Sequence, residues 1–159
     1  MAKILVVYDS RTGNTEKMAF AVAEGVKQIS GVEVIVRKVN VTNIEDLLSA
    51  DGIVMGSPTY YGQMSAKLKT LIDESVKIHG KLEGKVGAAF TSSGGTATGG
   101  ETTLLSILQA MLVHGMIIQG SAHDKHYGAA AVSSPDEKEL KSCQELGKKV
   151  AGLAAKLKA

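Results

Sequence analysis

The sequence predicts a doubly wound α/β fold, with a five-stranded parallel sheet between two layers of helices. Three observations carry this reading. Short apolar runs alternate with longer segments of helical period along all 159 residues. Strict β-α alternation calls for parallel strands joined by right-handed helical crossovers. Hydrophobic residues make up 44% of the chain and aromatics only 4%, as suits Val-, Ile- and Ala-rich strands buried under helices on both faces. No repeat, low-complexity segment or linker breaks the pattern, so residues 1–159 are expected to form one domain.

Ile4-Leu5-Val6-Val7-Tyr8 is a continuous apolar run, the mark of a strand covered on both faces. Met18, Val22, Val26 and Ile29 follow at helical spacing. The second strand is read over Val32–Val39. Thr42-Asn43-Ile44-Glu45 reads as a capping box opening a short helix. Ile53-Val54-Met55 is the third strand. A helix is expected from Ser65 to Lys77, with Leu68, Leu71 and Ile72 facing the sheet. Val86–Phe90 is the fourth strand. Thr102–Val113 is the fourth helix, carrying Leu104, Leu105, Leu108 and Leu112. Met116-Ile117-Ile118 is the fifth strand. A last helix is expected from Pro135 to Leu157, with Ser134 as its N-cap and Glu137 three residues on.

The charge balance excludes some functions. Eighteen basic and 16 acidic residues leave a net charge of +2, with no basic stripe, so no nucleic-acid partner is expected. No apolar run approaches the ~20 residues needed to cross a bilayer. The opening MAKILVVYDS is too short in apolar residues for a signal peptide. A cytoplasmic protein without membrane contact is expected. Cys143 is alone, so no internal disulfide can form, and its place in the last helix suggests an inert thiol. Asn40-Val41-Thr42 matches a glycosylation acceptor only by chance without a secretory signal.

Parallel α/β sheets bind ligands beyond the carboxyl ends of their strands. The segments there are therefore the informative ones. After the first strand, Ser10, Arg11, Thr12, Gly13, Asn14 and Thr15 lead straight into a helix. Hydroxyls and free N–H groups at a helix start suit a phosphate, and Gly13 permits a tight turn. The plainer alternative is a polar turn with an N-cap. No G-x-x-x-x-G-K-[ST] and no G-x-G-x-x-G occurs, so neither a P-loop nor a dinucleotide fingerprint is present.

After the third strand come Pro58, Thr59, Tyr60, Tyr61 and Gly62. Adjacent tyrosines in a strand-end loop offer a flat face to a planar ring, unless one packs on the next helix. After the fourth strand, Thr91 to Gly100 is built only of Gly, Ser, Thr and one Ala. Such a backbone can wrap a ligand closely and offer N–H groups to a heterocycle.

Four histidines occur. His114, before Gly115, reads as a C-cap completing the helix dipole. His123 and His126 flank Asp124 without a fuller ligand set, so a surface loop is expected and no metal site. Met18, Met55, Met111 and Met116 sit at core spacing. No serine has a G-x-S-x-G context.

The three loops and their order resemble the flavodoxin superfamily, and in detail the WrbA-type NAD(P)H:quinone oxidoreductases. The resemblance rests on the SRTGNTEKMAFAVAEG helix start, GSPTYYGQMSAKLKTLID, FTSSGGTATGGETT, LVHGMII, HYGAAAVSS and AGLAAKL, and it covers nearly the whole chain. It implies a flavodoxin-like fold with strand order 2-1-3-4-5 and FMN as cofactor. By it, Ser10 to Thr15 hold the phosphate, Pro58 to Gly62 line one side of the ring, and Thr91, Ser92, Ser93, Gly94 and Gly95 reach its pyrimidine edge. The segments Asn40–Ala50 and Ile118–Tyr127 are shorter here than in long WrbA proteins, where such insertions help build a tetramer. A homo-oligomer is therefore an open expectation.

Two activities remain open at this stage. One is an oxidoreductase passing electrons from NAD(P)H to a quinone-like acceptor. The other is a flavodoxin carrying electrons between redox partner proteins. The loop after the fourth strand has no aromatic, which leaves one ring face open to a substrate. The segment from Gly52 to Ala66 has no Asp or Glu, so reduced flavin is expected to be less destabilised than beside an acidic rim. Both features favour the enzyme. No catalytic side chain is named, because the flavin carries the chemistry.

Overall fold

A computed structural model describes residues 1–159. Its elements are β1 (Ala2–Tyr8), α1 (Asn14–Val26), β2 (Val32–Lys38), α2 (Ile44–Ser49), β3 (Gly52–Pro58), α3 (Ala66–Glu74), β4 (Val86–Ser93), α4 (Gly100–Val113), β5 (Ile117–Ile118), β6 (Ala129–Val132) and α5 (Glu137–Lys158). All pairings are parallel, in the order β2-β1-β3-β4-β5, with β6 also on β4.

Side chains along a strand alternate between faces, so the sheet feeds two cores. On one face Ile4, Val6, Tyr8, Val54 and Phe90 pack under α1 and α5, against Met18, Val22, Cys143 and Val150. On the other, Leu5, Val7, Ile53 and Met55 meet Leu47, Leu68, Leu104, Ile107 and Met111 from α2, α3 and α4. Met18, Met55, Met111 and Met116 are all buried, as expected from their spacing.

Several boundaries differ from the sequence expectation, each for a physical reason. The fifth strand is in two pieces. β5 pairs with Val86 and Gly87, the chain leaves the sheet over 119–128, and β6 rejoins beside Phe90–Ser93. β4 runs on to Ser93, because parallel partners on both sides supply ladder bonds even to hydroxyl residues. The inward stripe of α4 is Leu104, Ile107, Leu108 and Met111. Leu112 is 59% exposed and Leu105 is also exposed. A helix apolar all round carries no phase of its own, so packing chooses the face.

The last turn of the expected third helix tightens into a 3-10 segment, Ser75–Ile78, that buries Ile78. Ile29 lies past the end of α1 yet still packs on the core. The caps also shift. Asn43 with Asp46 caps α2, while the Thr42 hydroxyl donates to the Lys38 carbonyl. Asp136 with Glu139 caps α5, and Ser134 lies outside it. Both resident caps form reciprocal boxes, which satisfy two end groups at once.

Cys143 is fully buried, and burial pushes its thiol up to about 12, so it is an inert core group. His114 is the C-cap of α4, as its position predicts, and burial of its ring disfavours the charged form at the helix end. Ser75 Oγ donates to the Ile72 carbonyl at 2.5 Å, so at the 2.7 Å contact between Ser75 Oγ and His114 Nε2 the ring must donate. Its Nδ1 is buried with no partner. Burial, and then the nearby His79, lower the His114 pKa. The unfolded chain therefore takes up this proton first as the pH falls. Stability from this site is full above about pH 6.5 and is lost as the pH drops through that value towards the lower folded one. Urea midpoints between about pH 7 and pH 5 should fall more steeply in the wild type than in His114→Gln. Parallel slopes would show that the ring does not titrate as its burial requires.

Candidate functional site

From β1 the chain passes to β2 on one side and later to β3 on the other. The strand order reverses there, and a crevice opens beyond the carboxyl ends. The segments after β1, β3 and β4 meet at that crevice.

The β1 segment leaves a helix start open. The N-cap of α1 is Gly13, at φ 95° with no side-chain cap, a conformation that costs any residue with a Cβ. α2, α3 and α5 are instead capped by Asn43, Ser65 and Asp136. The Gly13 N–H donates to Ser10 Oγ at 3.1 Å. The N–H groups of Ser10, Arg11, Thr12, Asn14, Thr15 and Glu16 find no acceptor in the chain. Arg11 and Thr12 are exposed. Glu16 does not fill this nest. It accepts from the Tyr8 hydroxyl at 2.5 Å and pairs with Lys38 at 3.4 Å. The Tyr8 hydrogen bond, with Lys38, holds its carboxyl below the usual range. Burial and the Glu16 carboxylate push Tyr8 upward, so it stays a donor. The result is an array of amide donors at a positive dipole end with no resident anion.

The β3 segment is a tight reversal. Tyr60 and Gln63 exchange both backbone hydrogen bonds at 3.0 Å, and Tyr61 (φ 50°) and Gly62 (φ 75°) form its corner. Two positive φ values in succession make a type I′ turn, which throws the first corner side chain outward. Tyr61 is fully exposed and so does not pack on the next helix, and Tyr60 is 39% exposed. Gly62 lies against the β4 segment. A Cβ at Gly99 would stand 2.6 Å from the Gly62 Cα, so only glycine lets these loops touch.

The β4 segment is ordered rather than slack. Ser93 Oγ and Thr98 Oγ1 both donate to the Gly95 carbonyl, at 3.0 and 2.6 Å. Ala97 sits at φ 55°. α4 starts at Gly99, again left-handed and without a side-chain cap. Every backbone N–H from Gly94 to Thr102 lacks an acceptor in the chain. Tyr61, Gly62, Ala97 and Gly99 thus put positive φ on both walls of the crevice, a kind of conformation often found at ligand sites.

Below these walls lies a floor of hydroxyls. Thr15 Oγ1 meets Ser92 Oγ at 2.8 Å, and Thr91 Oγ1 donates to the Ser57 carbonyl at 2.7 Å and contacts Thr59 Oγ1 at 2.9 Å. Thr15, Thr91 and Ser92 are buried. The expectation that Thr91 and Ser92 open a loop is corrected here. They are strand residues, because their hydroxyls tie β4 to α1 and β3, and the free backbone begins at Gly94.

Lys38 and Lys67 line a cleft of about 210 Å³ beside Ser10. Sequence reasoning passed over both, since isolated lysines at the end of β2 and the start of α3 carry no motif. His123, Asp124 and His126 lie in the 119–128 segment, and no three His, Cys, Asp or Glu side chains come together to hold a metal.

The donor array at α1, the tyrosine turn and the amide-rich β4 wall fit an FMN in composition: amides for the phosphate, an aromatic edge for the ring, N–H groups for its polar rim.

Comparison with known proteins agrees. The family model for NADPH-dependent FMN reductase matches residues 38–126. A protein of Aquifex aeolicus named flavodoxin is 40% identical, over 95% of this chain and 86% of its own length. A protein of Archaeoglobus fulgidus named NAD(P)H dehydrogenase (quinone) is 39% identical, over 99% of this chain and all of its own. That alignment spans 191 positions, so the relative carries segments that this chain lacks. A solved flavodoxin, WrbA-like protein from Agrobacterium tumefaciens superposes with a TM-score of 0.85 at 27% identity, covering 98% of this chain and 99% of that one. On the matched half and these near full-length relatives, the chain belongs to the NADPH-dependent FMN reductase family and has the flavodoxin-like fold.

Proposed function

We propose that this chain binds FMN and works as a WrbA-type NAD(P)H:quinone oxidoreductase. One observation carries the reading: the β1 and β4 segments at the carboxyl ends of the strands hold runs of backbone N–H groups with no acceptor in the chain, beside the exposed Tyr60-Tyr61 turn. Ser10, Arg11, Thr12, Gly13, Asn14 and Thr15 hold the phosphate, chiefly through N–H groups at the start of α1. Pro58, Thr59, Tyr60, Tyr61 and Gly62 flank the ring. Gly94 and Gly95 present their backbone to its polar edge, while Thr91, Ser92 and Ser93 hold that wall in place.

Bound FMN supplies the two-electron chemistry, and the protein supplies binding, orientation and access. No side chain is assigned an acid-base role. With an aromatic on one side alone, the other ring face is left for a nicotinamide or a quinone to stack. Residues 1–159 act as one FMN-binding unit, and the protein works in the cytoplasm. No helix is long and apolar enough to cross a membrane.

A carrier remains the second reading, favoured by the 40% identity to a protein named flavodoxin. A direct measurement separates the two. FMN is titrated into the purified protein and followed by absorbance, then NADH or NADPH is added with benzoquinone. Rapid bleaching by either nicotinamide, with turnover that depends on quinone, supports the oxidoreductase. FMN binding without reduction by either nicotinamide assigns the chain to the carriers. A protein that ignores FMN overturns both readings.

A further inference from the structure

The break in the fifth strand leaves a cavity that the flavin reading does not use. β5 ends opposite Gly87 and β6 begins opposite Phe90, so Ala88 and Ala89 have no fifth-strand residue beside them. The chain bows outward between the two pieces and encloses a cavity of about 240 Å³ at the sheet edge. Its wall is apolar. Ala88, Leu108, Ile118 and Leu146 come from the sheet and from the helices on both faces, and Tyr127 closes one side.

The rim has one sign of charge. Lys125 and Lys149 are its charged residues, His126 also lines it, and no Asp or Glu does. Neither lysine has a carboxylate within ion-pairing distance. Lys149 Nζ donates to the Gly120 carbonyl at 3.1 Å and so pins the bowed segment to α5. His126 Nδ1 bonds the Ser121 carbonyl at 2.7 Å, which makes Nδ1 the donor and leaves Nε2 for another partner. The segment is braced further by Ser121 N–H to the His126 carbonyl at 3.2 Å and Gly128 N–H to the Lys125 carbonyl at 3.0 Å. A braced apolar hollow with unpaired cations at its mouth selects a ligand that is apolar at one end and anionic at the other.

We propose that this cavity is a second ligand site, for a small aromatic carboxylate, separate from the crevice at the carboxyl ends of the strands. The hydrocarbon body rests on Ala88, Leu108, Ile118 and Leu146, and the carboxylate meets Lys125 and Lys149.

The test uses the full chain with 1-naphthoate as probe, with and without saturating FMN, followed by calorimetry and by amide shifts in ¹⁵N-labelled protein. The expected result is binding near the millimolar range, with shifts confined to Ala88, Leu108, Ile118–Gly128 and Leu146–Val150 and an affinity that FMN does not change. Lys125→Met and Lys149→Met should each weaken 1-naphthoate about tenfold, and the neutral 1-naphthalenemethanol should bind about tenfold more weakly than the acid. Lys125→Met removes no hydrogen bond within the chain, so its native spectrum guards against misfolding in the other variant. No shifts up to about 10 mM would overturn the proposal. So would shifts at Ser10–Thr15 or Pro58–Gly62 that FMN abolishes, since the probe would then be reporting the flavin crevice.

Discussion

Ser10→Asp should weaken FMN binding by about 100-fold or more, while riboflavin affinity moves by less than about threefold. Ser10 Oγ accepts the Gly13 N–H at 3.1 Å, a bond that a carboxylate oxygen can also accept, so the turn survives the change. What changes is the charge beside the open amides of α1. A carboxylate about 4 Å from a phosphate is repelled by a few kcal/mol at the effective dielectric of a protein surface, more than the loss of one hydroxyl donor, which costs about 1 kcal/mol. Riboflavin keeps the ring and ribityl chain but lacks the phosphate, so it escapes the repulsion. Ser10→Ala should cost FMN only several-fold. Fluorescence titration of both flavins checks this. Equal weakening of FMN and riboflavin would mean that the loop itself is disturbed, and unchanged FMN binding would place the phosphate away from α1.

The loops of the candidate site were legible because they stand as runs of unusual composition in the sequence. SRTGNT and SSGGTATGG are built from residues that have little reason to crowd together unless backbone must be exposed, and both become open helix starts with glycine N-caps. The YYG turn was legible as a loop, but the projection of Tyr61 into solvent depends on the positive φ of a non-glycine residue, which no local pattern encodes. β6 was missed because Ala129-Ala130-Ala131-Val132 has helix-forming alanines, and only the vacant edge of β4 makes it a strand. α4 was misphased for a related reason: Leu105 and Leu112 are as apolar as Leu104 and Leu108, and only packing separates them. The extension of β4 through Thr91 and Ser92 was hidden by composition, since hydroxyl residues read as loop until a network such as Thr15–Ser92 and Thr91–Ser57 satisfies them. In each case the missing information was tertiary.

Two alanine substitutions in the same helix should have opposite signs. Gly147 and Gly152 both lie inside α5, where alanine is intrinsically better than glycine by about 1 kcal/mol. Gly152 has open space where its Cβ would go. Gly152→Ala should therefore stabilise by about 0.5–1 kcal/mol, raising Tm by roughly 1–4 °C in a chain of this size. A Cβ on Gly147 would lie 2.0 Å from the Val22 carbonyl oxygen of α1, and across the same contact a Cβ on Gly25 would lie 1.9 Å from the Gln144 oxygen. Backbone cannot swing aside as a side chain can, so α1 and α5 must separate, and the core of Met18, Val22, Cys143 and Val150 loosens with them. Gly147→Ala should cost roughly 2–3 kcal/mol net of the propensity gain, lowering Tm by about 4–12 °C. The same displacement reaches the site, because the far end of α1 carries Gly13 and the open amides. Gly147→Ala should thus weaken FMN and riboflavin together, through the misplaced loop and the strained Thr15–Ser92 contact, whereas Ser10→Asp discriminates between them at unchanged Tm. Thermal melts and paired flavin titrations on the three variants check the whole chain of cause. A Gly147→Ala protein as stable as Gly152→Ala would show that the helices do not approach as closely as these two glycines allow.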